Sequence, residues 1–293
     1  MHRNTLSRRQ CITGALGLAG VAANAKPFQH AIGAQLYTVR TVIGKAQDDT
    51  LRRIAAIGYR EVETTGLDNL DAMAPLLQKY KLKPVSRHLD VAVITGKWPD
   101  GKVKTTLAQS IATAQKHGIE YLVFPYVPPT DRGSVDNYRK LADQMNQAAE
   151  QVHAAGLTFC YHNHAFEFGG AQGERAIDIF TDRWDKKLVN LELDVFWVSV
   201  AGQDPVEMLK QYQGRVPLIH LKDKATETPV QYDEKVPAPT FKEVGSGSLD
   251  FPAILRAAEQ TGVKHYFVEQ DQTPADPVDS LAKSYRFLRN LNL

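Results

Sequence analysis

Four short stretches of this sequence gather imidazole and carboxylate side chains in a pattern that suits a metal ion. They are Tyr161-His162-Asn163-His164-Ala165-Phe166-Glu167, Glu192-Leu193-Asp194, His220-Leu221-Lys222-Asp223 and Glu269-Gln270-Asp271. Each closes a run rich in β-branched, aromatic or other apolar residues and so reads as the end of a β-strand. Side chains alternate across a strand, which puts His162 with His164, His220 with Lys222, and Glu269 with Asp271 on common faces. A mixed set of this kind suits a divalent ion such as Mn²⁺, Co²⁺, Zn²⁺, Fe²⁺ or Mg²⁺ better than Ca²⁺, which prefers oxygen alone. Taken singly, a strand histidine more often makes structural hydrogen bonds, and Asp194 or Glu269 could cap a helix or pair with an arginine. Their meeting on four strand ends is what points to a metal. Trp197 offers either rim packing or an aromatic wall for the apolar face of a sugar.

The elements that must position these groups alternate along the chain. Strands are expected at Ala31–Thr38, Tyr59–Thr64, Pro84–Leu89, Tyr121–Tyr126, Thr158–His164, Val189–Val195, Leu218–Lys222 and Tyr266–Gln270. Helices follow them at about Asp48–Ile57, Leu70–Tyr80, Lys104–His117, Val135–Ala155, Ala176–Trp184, Pro205–Tyr212, Phe251–Thr261 and Val278–Asn290. Gly58, Gly118, Gly156 and Gly262 stop four of them, where a left-handed cap suits a residue without Cβ. Eight such units predict an α/β fold, a (β/α)8 TIM barrel in one domain over residues 26–293, with its chemistry at the C-terminal strand ends. An open doubly wound sheet fits less well, because no Gly-rich phosphate loop opens a helix. Gln35, Tyr37, Glu63 and His88 also close strands and are expected to contact substrate. Lys224 to Ser248, with Pro229, Pro237, Pro239, Gly245 and Gly247, is expected to form an ordered lid or rim.

Before this domain, Arg8-Arg9 precedes an uncharged, Gly- and Ala-rich run ending in Ala23-Asn24-Ala25. Residues 1–25 therefore read as a cleaved twin-arginine signal peptide, and the protein as periplasmic or secreted with no stable membrane anchor. Its removal takes Arg3, Arg8 and Arg9 and changes the formal charge from +2 to −1. No stretch interleaves Lys and Arg with aromatics, so nucleic acid is not expected as a partner. Cys11 and Cys160 are the two cysteines, which excludes a cysteine zinc site and, after processing, an internal disulfide. The sequence leaves room for a homo-oligomer.

Several segments together resemble the sugar phosphate isomerase/epimerase family, the xylose-isomerase-like TIM barrels. They are Gln35-Leu36-Tyr37-Thr38-Val39-Arg40, Gly58 to Glu63, Tyr161 to His164 with Phe166-Glu167-Phe168, His220 to Asp223, and Val244 to Phe251. The resemblance implies a divalent metal held by one residue from each of strands 5 to 8, which fall on His162, Asp194, His220 and Glu269. The family commonly has Glu-Asn-His where this chain has His162-Asn163-His164, which weakens a symmetrical proton exchange between two carboxylates. His162 or His164 could then be the base, and Glu167 could complete the metal set or act as the acid. Lys222 is placed to polarise a substrate oxygen. The nuclease relatives use a fuller His-rich cluster, and Trp197 stands where an extra ligand would be needed.

The function this implies is a metal-dependent enzyme on a small carbohydrate, unphosphorylated if met outside the cytoplasm. It would remove a proton next to the carbonyl of a sugar or keto-sugar, giving isomerisation or epimerisation. The alternative is a lyase or dehydratase on 3-keto-glycosides or inositol-like ketones through the same enolate. A sugar-binding barrel without turnover is the third class. Glu269, placed at a pocket mouth, is expected to lose its charge to Gln with little loss of stability.

Overall fold

The computed structural model describes residues 26–66 and 69–293. The expected signal peptide, with its arginine pair and Cys11, lies outside them. Strands Ile32–Gln35, Glu61–Thr64, Lys83–His88, Tyr121–Phe124, Thr158–His162, Val189–Asp194, Leu218–Leu221 and His265–Val268, here strands 1 to 8, close a barrel. Each pairs in parallel with the next, and strand 8 with strand 1. The outer layer is Gln47–Ile57, Leu70–Tyr80, Leu107–His117, Val135–Ala154, Ala176–Arg183, Pro205–Gln211, Phe251–Thr261 and Pro277–Arg289. The helical stops behave as their sequence suggests, with Gly118 (φ 68°) and Gly262 (φ 93°) taking backbone that L side chains avoid.

Strand ends differ from the sequence expectation for local reasons. Strand 1 stops at Gln35 because its side-chain oxygen accepts the Tyr37 N–H at 3.0 Å and starts the 3₁₀ turn Leu36–Val39. Strand 5 stops at His162, two residues early, because Glu167 takes the His164 N–H. Strand 6 runs into a short helix, Val195–Val200, capped by Asp194. The periodicity also missed the helix Val91–Thr95.

Inside the barrel, Val85, Tyr121, Val123, Cys160, Leu218 and Phe267 form an apolar plug separate from the core between strands and helices. Gly33 makes room for it, since a Cβ there would overlap the Phe267 ring. Two residues further along the same strands stand His162, His220 and Glu269. The wall thus changes from apolar to polar at the height where a TIM barrel places its chemistry. The long seventh connection is an ordered rim, with Asp223–Lys224 pairing antiparallel with Phe241–Lys242. Asp223 anchors it, accepting the N–H groups of Lys224, Gly245, Gly247, Ser248 and Leu249.

Candidate metal centre

A cleft of about 500 Å³ opens at the C-terminal end of the barrel. His162, Lys222, Glu269 and Asp271 line its floor, with Asp194 and His220 fully buried just beneath. One ligand atom each from His162, Asp194, His220 and Glu269 lies within 4.8 Å of the other three. Two imidazoles and two carboxylates in that space match the donor chemistry of a divalent transition-metal site. Asp194 caps a helix with one oxygen and turns the other to the cluster. Oδ1 caps the short helix, accepting the N–H groups of Phe196 at 2.9 Å and Trp197 at 3.0 Å. Oδ2 faces the cluster, 3.6 Å from His162 Nε2 and 4.0 Å from His220 Nδ1.

The charges here form a compensated set. Lys222 Nζ stands 2.6 Å from Glu269 Oε2, 2.9 Å from Asp194 Oδ2 and 3.2 Å from Asp271 Oδ2. Burial pulls the Lys222 ammonium down, but Asp194, Asp271 and Glu269 outweigh it and hold it well above the usual lysine range. Burial would raise Glu269, yet Lys222 and His220 keep it well below the carboxylate range. Asp271 is pushed up to about 6 by burial, against the pull of Lys222. His162 and His164 are driven well below the usual histidine range by burial, helped by neighbouring cations. Both rings are therefore neutral at pH 7, the form a metal ligand or a base requires.

The remaining expected residues divide by depth. His164 lines the cleft, its ring 5.0 Å from Tyr126 and 5.3 Å from Trp197, outside the four-ligand group. Trp197 lines it too, while Phe196 is rim packing against Phe241. Tyr37 stands at the mouth, 41% exposed, under the Arg40 guanidinium. His88 reaches the cleft; Gln35 and Glu63 do not, which corrects their expected role as substrate contacts. Both are fully buried below the imidazoles, with the Gln35 amide donating to Glu63 and His88 Nε2 2.9 Å from it. Burial lowers His88, but Glu63 and Glu192 lift it to about 10.

Glu167 is also corrected, since it reaches neither the metal group nor the cleft. Tyr161 OH donates to it at 2.5 Å and the His164 N–H at 2.9 Å. Tyr161 points outward against Phe180 and Trp184, so Glu167 belongs to the outer layer. Glu269 is 4% exposed rather than at an open mouth, so removing its charge would leave Lys222 underpaired. The sequence placed Glu192 and Asp271 among the strand-end stretches but gave neither a role, although each lies two residues from an expected ligand on the same face. Tyr126, Val236 and Phe241 on the cleft wall carried no such signal.

A closed parallel barrel with imidazoles and carboxylates converging at its C-terminal end defines a TIM barrel with a candidate divalent-metal site. Residues 51–291 match the family model of the xylose isomerase-like TIM barrels, and the chain belongs to that family. It is 28% identical over 159 residues to the inosose dehydratase of Geobacillus thermodenitrificans, across 51% of this chain and 53% of that one. The chain thus spans about half the length of that curated relative. In structure it is similar to a sugar phosphate isomerase/epimerase from Parabacteroides distasonis, with a TM-score of 0.73, 24% identity and coverage of 90% and 99% of the two chains. It is also similar to the IolI protein with a bound zinc atom, with a TM-score of 0.67, 18% identity and coverage of 88% and 97%. Among the described residues, no helix is long and apolar enough to cross a membrane.

Proposed function

We propose that the protein is a divalent-metal-dependent enzyme that removes the proton next to the carbonyl of a keto-sugar or keto-cyclitol and then expels an oxygen substituent from the β-carbon. The observation that carries this is the convergence of His162, Asp194, His220 and Glu269 on the cleft floor, with Lys222 against them. The similarity to inosose dehydratases supports the elimination. A divalent ion held by the four ligands would supply Lewis-acid polarisation of the carbonyl.

The chain's own groups account for the rest. His164, neutral and outside the ligand set, is the base that takes the α-proton. The Lys222 ammonium faces charge that builds on the enolate oxygen. The C–O bond at the β-carbon then breaks, an enone forms, and the oxygen departs as water or alcohol with a proton from Asp271, whose carboxyl is lifted to about 6 by burial. Strand 5 carries His162 where a two-carboxylate exchange needs an acid, and Glu167 is bonded outside the cleft. That favours elimination. Isomerisation or epimerisation is the second reading, and Asp271 on the cleft lining is the observation in its favour.

Incubation with keto-sugars and keto-cyclitols in deuterated water, with Mn²⁺ or Co²⁺, tests the proposal. Loss of water or alcohol with enone formation is expected. Deuterium at the α-carbon with every oxygen substituent retained would overturn elimination in favour of isomerisation. No exchange and no loss would overturn enolisation altogether. Export by residues 1–25 is part of the same proposal and favours unphosphorylated substrates; fusing that segment to a reporter tests it.

A further inference from the structure

Beneath the four ligands lies a second polar layer, whose His88 also lines the cleft. Glu63 and Glu192 are its carboxylates, both fully buried. His220 spans the two layers edge to edge. Its Nδ1 lies 2.8 Å from Glu269 Oε2 above, and its Nε2 lies 2.7 Å from Glu63 Oε1 below. His162 has the same disposition, with Nε2 toward Asp194 and Nδ1 3.3 Å from Glu192 Oε2.

We infer that Glu63, with Glu192 beside it, is a positioning residue for the metal centre: it holds the Nε2 proton of His220 and so commits Nδ1 to the cation. The inference rests on the metal site proposed above. A neutral imidazole carries one proton, and the nitrogen that binds a metal must be the other one. Glu63 fixes that choice, because an ionised carboxylate at hydrogen-bond distance is the strongest acceptor available to Nε2. It is itself fixed by the Gln35 amide and by His88. Glu192 acts in parallel, 3.3 Å from His220 Nε2 and 2.8 Å from His88 Nε2. Carboxylate, imidazole and cation in line orient the ring and raise its basicity as a ligand.

A second cation among His88, His162, Glu192 and His220 would use the same atoms. The contacts of 2.7 Å from His220 to Glu63 and 2.8 Å from His88 to Glu192 are hydrogen-bond lengths between nitrogen and oxygen, and the number of ions bound per chain tells the two arrangements apart.

Two measurements on the whole chain test this. The first is long-range ¹H–¹⁵N correlation spectroscopy on the zinc-loaded wild type, which should show His220 with Nε2 protonated and Nδ1 bound. A metal-bound Nε2 would overturn the inference. The second is chelator competition for Zn²⁺, in which Glu63→Gln should bind about 10- to 100-fold more weakly. Glu61→Gln is the control, since Glu61 lies on the same strand but pairs with His265 at 2.9 Å, at the start of strand 8, and should bind as wild type does. Equal affinity of Glu63→Gln and wild type, or two ions per wild-type chain falling to one in Glu192→Gln, would overturn the inference and leave the metal site standing. Failure of wild type and control alike to take up any ion would overturn the metal site itself. If Glu63→Gln does not fold, the wild-type tautomer decides alone.

Discussion

Replacing Lys222 with Met keeps the unbranched aliphatic stem, one atom shorter, and removes its charge, and the consequence depends on whether a divalent ion is bound. In the metal-free protein the ammonium compensates Asp194, Glu269 and Asp271, all within 3.2 Å. Breaking a buried ion pair by removing one partner is destabilising by about 3–5 kcal/mol. At about 2–4 °C per kcal/mol for a chain of this size, the chelated variant should melt roughly 6–20 °C below wild type. A divalent ion among the same carboxylates restores the missing positive charge. The ion and the ammonium compete for Asp194 and Glu269, so by reciprocity the variant should bind the ion more tightly than wild type does. At one hundred times Kd the ion adds about 2.7 kcal/mol to wild type, and at the same free concentration it should add more to the variant. Calorimetry on chelated and Mn²⁺-loaded samples of both proteins reads both quantities. A chelated variant that melts with wild type, or an equal gain from metal in both, would refute the competition. Turnover should be lost in either case, since Met donates nothing to an enolate oxygen.

Three further outcomes follow from the packing. Burial lifts the Glu167 carboxyl to about 7, above its usual value of 4.5, so the fold favours the protonated form. The resulting stability of about 3 kcal/mol is fully present below pH 4.5 and lost as the pH rises through 7. Melting curves of Glu167→Gln should lack this decline, and an unchanged pH profile would refute it. Gly33→Ala should destabilise by about 1–3 kcal/mol, because its methyl group must displace the Phe267 ring; a melting temperature equal to that of wild type would show that the plug yields. Asp223→Ala takes the side-chain acceptor from five rim N–H groups, of which Ser248 keeps the Lys224 carbonyl, so limited proteolysis should cut within residues 243–249 in the variant and spare the wild type.

The order of the eight units was legible because seven of the eight outer helices carry a capping side chain or a glycine stop, Ala176–Arg183 being the exception. Phe251–Thr261 has the bounds read from sequence, between an Asp250 cap and Gly262. Strand ends were less legible, since those of strands 1, 5 and 6 were set by one side chain reaching back to the backbone. Gln35 ends strand 1 and Glu167 turns the chain after strand 5. Neither bond has a signature in hydrophobic pattern, and both depend on where the side chain lands after the strand has formed.

The site shows the same limit in a sharper form. Alternation along a strand tells which residues face the barrel axis, and the family resemblance named His162, Asp194, His220 and Glu269, whose ligand atoms the fold brings within 4.8 Å of one another. Alternation says nothing about height along that axis. Gln35 and Glu63 face inward as the ligands do, yet they stand below the imidazoles, because height depends on the stagger between neighbouring strands. The pairing of Gln35 with Glu63 and of Asp194 with His220 sets those levels. Inward residues one step lower on the wall therefore touch ligands and not substrate. In a barrel of this kind an inward carboxylate below the floor is best read first as the partner of the histidine above it, and Glu63 and Glu192 take that place here.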